Sequence, residues 1–169
     1  TNNNYIGGLV GYVASSENIT NSYSQSNITS ESSYAVGGLI GEFFGQSNNE
    51  IKDVYATGNI SYSGQASIGG LIGSLAFGNI SNSYSTGSIN GTYNLVIAIG
   101  GLVGTSWPDT NVSNSYATGS ITADKIDTSS NSTSYNGNFG GLIGYSGSNI
   151  NDSYATGNIE TNGGQAVGG

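Results

Sequence analysis

Two stretches decide how this chain folds: Gly69-Gly70-Leu71-Ile72-Gly73 and, a few residues later, Ile80-Ser81-Asn82-Ser83-Tyr84-Ser85-Thr86-Gly87-Ser88-Ile89. Both recur. Gly-Gly-Leu-Val/Ile-Gly also stands at Gly7–Gly11, Gly37–Gly41, Gly100–Gly104 and Gly140–Gly144. The second block recurs as a frame between branched apolar residues at Ile19–Ile28, Ile51–Ile60, Val112–Ile121 and Ile150–Ile159. Another copy opens at Ala166-Val167-Gly168-Gly169. Such self-similarity marks a repeat architecture, whose units are too poor in apolar groups to fold singly and must stack.

Spacing separates the fixed parts from the elastic ones. The frame is always nine steps long. From its last Ile to the next Gly-Gly the steps are nine, nine, eleven, nineteen and nine, and from Gly-Gly to the next frame twelve, fourteen, eleven, twelve and ten. Fixed strand blocks joined by variable corners fit this pattern. The nineteen-step corner holds a polar insertion near Asp124–Thr133, which reads as a protruding loop.

Gly, Ser, Asn and Thr are poor helix formers, and a helix-interior Gly costs about 1 kcal/mol. The expected fold is therefore all-β: one parallel β-solenoid, or β-helix, of about five coils of roughly 30 residues, right-handed as parallel crossovers are. It is read as a single repeat domain, 1–169, with coils near 5–34, 35–65, 66–96, 97–136 and 137–165 and a sixth cut off at 166–169. One strand spacing per coil gives an axis of roughly 24 Å.

The Gly-Leu-any-Gly core resembles the GLUG repeat, known in bacterial surface adhesins and streptococcal immunoglobulin A proteases. The resemblance implies β-helix coils, an extracellular or cell-surface location and a stalk-like or adhesive role. It implies no catalytic residues, because in those proteases the chemistry belongs to another domain.

Comparing the copies assigns faces. Ser22, Val54, Ser83, Ser115 and Ser153 precede the tyrosine, and Ser24, Ala56, Ser85, Ala117 and Ala155 follow it. Small and apolar residues in these columns point to a narrow interior. Strand alternation then turns Tyr23, Tyr55, Tyr84, Tyr116 and Tyr154 outward as a candidate ligand-facing ladder; the competing reading has the rings fill the core and the small residues face out. Asn21, Asp53, Asn82, Asn114 and Asp152 form a turn column. Leu9, Leu39, Leu71, Leu102 and Leu142 are expected as the structural core ladder. The paired glycines either supply positive φ at a corner or let a neighbouring sheet approach closely.

Composition narrows the function. Charged residues are 7% of the chain, and Lys52 and Lys125 alone oppose ten carboxylates, for a net charge of −8. Nucleic-acid binding and attraction to anionic lipid both need clustered cations. No apolar run reaches membrane-spanning length, so direct membrane insertion is not expected. A surface wetted by hydroxyls and amides is common outside the cell. The chain opens on polar residues, so an export signal would lie upstream. There is no Cys and no His, which removes disulfides, histidine metal sites and Ser-His-Asp catalysis.

Other sites are weaker still. Carboxylates alone could cleave a polysaccharide, but the ten present sit in scattered columns. The glycine blocks lack the Lys and helix of a phosphate loop. Asp124, Asp127 and Asn131 could offer oxygen to calcium but read better as a solvated loop. Thr57, Thr86, Thr118 and Thr156, with Gln25 in the first coil, form one Thr column without the paired row an ice-binding face needs. Asn18, Asn27, Asn59, Asn79, Asn90, Asn111, Asn131 and Asn151 are Asn-x-Ser/Thr acceptors if the source glycosylates such motifs.

The expected function is that of a non-catalytic structural segment, a stalk or filament element of a secreted or surface protein, with no cofactor and no metal. The alternative is a carbohydrate-binding adhesin face on the Tyr ladder. Expected partners are further repeats or copies of the chain, joined end to end at uncapped coils, together with glycans or a host surface.

Overall fold

The computed structural model describes residues 4–14, 17–31, 33–93, 97–126 and 137–169. Among these the only regular elements are short strands, and no helix is long and apolar enough to cross a membrane. Every strand pair is parallel and joins equivalent residues of successive coils, as in Ile60↔Ile89 and Ile89↔Ile121. The chain is a β-solenoid of five coils.

Among the described residues five sheets run along the axis, one with six strands and four with five. In the third coil their strands are Ser67–Gly69 (sheet A), Ile72–Ala76 (sheet B), Gly78–Ser81 (sheet C), Tyr84–Ser85 (sheet D) and Ile89–Tyr93 (sheet E). The sixth strand of sheet A, Ala166–Gly168, opens the next coil.

The Gly-Gly-Leu-x-Gly block is the tight reversal between sheets A and B, and its glycines are there for space. A Cβ on Gly69 would stand 1.9 Å from the Ile72 carbonyl oxygen. One on Gly70 would meet the Gly101 carbonyl oxygen at 2.1 Å and the Ser85 Oγ at 2.3 Å. One on Gly73 would lie 2.6 Å from the backbone nitrogen of Val36 in sheet A of the coil before. Close approach, rather than positive φ, explains all three.

Sheets A and B therefore lie back to back, almost backbone on backbone, and form a septum whose turn reaches the inner face of sheet D. The septum divides the interior. One core holds Leu39, Ile40, Phe43, Ile51, Val54, Leu71, Ile72, Leu75 and Ile80, between sheets B, C and D. The other holds Val36, Ile60, Tyr62, Ile68, Ile89, Tyr93, Ile99, Ile121 and Phe139, between sheets A and E. Burial of each such side chain contributes about 1.5–3 kcal/mol before entropy is subtracted.

The leucine column sits on the turn. Leu71 donates its N–H to the Leu102 carbonyl at 2.9 Å, and the same oxygen accepts from Ile72 at 3.0 Å. Leu39, Leu71 and Leu102 are fully buried. The column is not interior throughout: Leu9 is 50% exposed and Leu142 only partly buried. Leu9 lies in the first coil and is covered by one neighbouring coil only, whereas Leu142 lies in the fifth, where just three residues of sheet A follow above it. Nor is this column the main core, which branched residues of sheets A, B, C and E share with it.

The septum gives a graded expectation for urea unfolding. Gly101→Ala drives a Cβ to 2.1 Å from the Gly141 carbonyl oxygen and should cost about 1–3 kcal/mol or more, as overpacking does. Leu71→Ala should cost about 2–5 kcal/mol through its cavity. Ser61→Ala, at an exposed position of sheet E, should leave the midpoint nearly unchanged, as surface substitutions do. Equal effects at Gly101 and Ser61 would contradict the septum.

Candidate functional site

Sheet D carries the most regular surface feature, and the residues before it explain its direction. Asn21, Asp53, Asn82, Asn114 and Asp152 all adopt positive φ, between 46° and 55°. Asn and Asp tolerate the left-handed region better than other side chains with a Cβ. In every coil but the second, where Val54 stands, a serine follows the turn residue, and it clamps the turn. Ser115 Oγ donates to its own strand at Ser113 O, 2.7 Å, and accepts the Ser83 N–H of the preceding coil, 3.1 Å. Ser83 repeats both contacts, to Ser81 O and from Val54 N.

After the tyrosine comes a small residue that must fit against the septum turn. Gly38 faces Ala56, Gly70 faces Ser85 and Gly101 faces Ala117. Ser85 Oγ also donates to the Gly101 carbonyl. With this neighbour locked inward, each tyrosine ring is held outside. Tyr23 and Tyr154 are exposed, and Tyr55, Tyr84 and Tyr116 half-buried. Ring centroids along the column are 5.0, 5.0, 5.0 and 5.2 Å apart, with planes within 6° of parallel. Burial, and then the Tyr116 and Tyr55 neighbours, raise the Tyr84 phenol above its ordinary pKa. Because the rings stack on one another, the three central tyrosines offer solvent their edges and hydroxyls rather than their faces.

The other sequence candidates are dispersed. Asn18, Asn27, Asn59, Asn90, Asn111 and Asn151 are exposed and Asn79 half-exposed, whereas Asn131 lies outside the described residues. Several of them already tie coils together. Asn27 and Asn59 accept the backbone N–H groups of Asn59 and Ser88, each at 2.9 Å. Asn111 Nδ2 donates to Asn79 Oδ1 at 2.6 Å, and Asn79 Nδ2 to the Ser47 carbonyl at 2.9 Å. On Asn79 and Asn111, the nitrogen a glycan would occupy is thus engaged in the ladder. Asp124 is exposed, while Asp127 and Asn131 fall outside the described residues. Among the described residues no group of three or more His, Cys, Asp or Glu side chains is placed to hold a metal. Thr86, Thr118 and Thr156 are exposed and Thr57 half-exposed.

One group escapes sequence reasoning. Glu42 is 7% exposed, on sheet B, in register with Tyr12 and Ser74. It accepts a hydrogen bond from the Tyr5 hydroxyl, while its Oε2 is buried without a partner. Burial raises its pKa, and the Tyr5 hydrogen bond pulls the other way. The column Tyr12, Glu42, Ser74, Thr105, Tyr145 reads as ordinary polar surface. That it meets sheet A, where Ser67 Oγ and Thr105 Oγ1 lie 2.8 Å apart, depends on the septum and has no sequence signal.

A rod of parallel coils with a glycine septum and an outward tyrosine column defines a solenoid repeat protein. Residues 2–29, 64–90, 96–122 and 135–160 match the GLUG motif, and the chain belongs to the GLUG-motif family. The coil at 35–63 is not among the matched segments, yet it keeps the same five strands in register. No curated protein and no solved structure matches the chain.

Glu42 yields a pH test. A carboxyl whose folded-state pKa is raised above the ordinary 4.5 gives its full stability below that pH and loses it as pH rises through the folded value. Glu42→Gln keeps an acceptor for Tyr5 without the buried charge. Its melting temperature should exceed that of wild type at pH 7, and the gap should close by about pH 4. A variant no more stable at pH 7 would show that the carboxylate is solvated.

Proposed function

We propose that this chain is a non-catalytic structural segment of a secreted or cell-surface protein, a stalk that sets distance between what lies at its two ends. The observation that carries this reading is the unbroken register. In all five sheets the same residue columns continue from coil to coil, so length is added in units of one strand spacing, about 4.8 Å, while only the corners change in length. Membership of a repeat family agrees with it. A chain with 7% charged residues and no Cys suits a location outside the cell.

Two alternatives fit less well. A sugar face on the tyrosine ladder would need exposed ring faces for stacking on pyranose C–H groups, and four successive stacked pairs occupy those of the central rings. Catalysis would need convergent acid and base groups. The buried carboxylate, Glu42, has Tyr5 as its hydrogen-bond partner.

Removing whole coils tests the stalk. Deleting residues 67–97 joins Ala66 to Ala98, which then takes the register of Ser67. The shortened protein should fold, stay displayed and bring an epitope at its far end one coil nearer the surface. Deleting half that stretch should abolish folding. If the in-register deletion folds but leaves the far-end epitope at an unchanged distance from the surface, the stalk reading fails.

A further inference from the structure

We propose that the corner between sheets B and C, across the second to fourth coils, is a binding site for a neutral oligosaccharide, separate from the tyrosine ladder and independent of the stalk reading. Here the repeat stops repeating. The corner varies in length, and aromatic side chains appear where other coils carry small ones. Phe44 pairs with Ala14 and Ala76 in neighbouring coils. It is 44% exposed and meets Phe77 edge to face at 6.0 Å. Trp107, 47% exposed, lies two residues before Asp109. At this corner an open cleft of about 490 Å³ is lined by Gly45, Gln46, Ser47, Phe77 and Asp109, within the size range of small-ligand sites.

The backbone supplies an independent sign. Seven described residues other than glycine have positive φ, and five of these are the Asn/Asp turn column. The remaining two are Phe77 (65°) and Asp109 (64°). They are equivalent corner positions, since the next residues, Gly78 and Thr110, pair. Both line the cleft. A bulky aromatic in the left-handed region is a strained outlier, and such strain gathers where a side chain is held for binding. A glycine would serve the turn better, so the ring at 77 is kept against the preference of the backbone.

The lining chooses the ligand. An aromatic ring beside amide, hydroxyl and carboxylate groups matches a pyranose, which offers apolar C–H faces and vicinal hydroxyls that donate in pairs to a carboxylate. Asp109 and the net charge of −8 disfavour acidic chains, and no Lys lines the cleft.

The chain has one tryptophan, and Trp107 stands two residues from the cleft-lining Asp109, so its fluorescence reports on this corner. Wild type is titrated with cellohexaose, chitohexaose, maltohexaose, mannohexaose and hexagalacturonate at up to millimolar concentration. Expected is a saturable change in emission with at least one of the four neutral chains and none with the acidic one. Phe77→Gly removes the ring and relieves the strained φ. It should melt no lower than wild type yet bind about tenfold more weakly, while Tyr84→Ala binds as wild type. No saturable change with any neutral chain, preference for the acidic one, undiminished binding by Phe77→Gly, or loss of binding in Tyr84→Ala would each overturn the proposal.

Discussion

Sheets A and B meet with almost nothing but backbone between them, and the rest of the coil is arranged around that contact. Three glycines per repeat make it possible. The first lies against the carbonyl of the residue after the leucine, as at Gly37 and Ile40. The second touches the small residue after the tyrosine, and the third the sheet A backbone of the coil before. A side chain at any of them would hold the sheets apart. Because the two sheets are so close, the space on either side is wide enough for only one layer of branched or aromatic residues, giving two slender cores in place of one. The Gly-Leu-x-Gly signature of the family is thus the footprint of a septum.

The invariant nine-step frame follows from the same contact. The chain must pass from the core beside sheet C, round the septum turn at sheet D, and into the core beside sheet E. Its first and last apolar residues, such as Ile80 and Ile89, lie in different cores. Between them, Asn82 reverses direction in the left-handed region, Ser83 satisfies backbone groups at the turn, and Ser85 fits against the glycine. Inserting a residue would move one of these out of register. The corners carry no such constraint, so they vary in length, and there the chain departs from its repeat with Phe44, Phe77 and Trp107.

Parallel stacking was legible in the sequence because ladders need equal residues at equal positions, and the columns supply them. The small residues on both sides of each tyrosine carried its direction, and the Asn/Asp column its turn. The partition of the interior was not legible. Ile80 and Ile89 look alike as branched apolar residues, and nothing in either says that a septum separates them. Paired glycines left two explanations open, and only coordinates distinguish positive φ from close approach. The buried Glu42 was hidden for the same reason, since a polar column reads as solvent-facing until a second sheet lies against it.

The back-to-back contact can be measured directly in solution. In a uniformly labelled sample, the Gly73 α-protons should show strong nuclear Overhauser cross-peaks to the amide proton of Val36, and Gly104 to that of Ile68, since an atom in the Cβ direction of these glycines lies 2.6 and 2.5 Å from the respective nitrogens. These residues are more than thirty positions apart in sequence and belong to different sheets, so an ordinary hollow coil would not bring them together. Strong cross-peaks at both pairs are the predicted result. Their absence, with sheet pairings such as Ile60↔Ile89 still observed, would contradict the septum and the account of the family signature built on it.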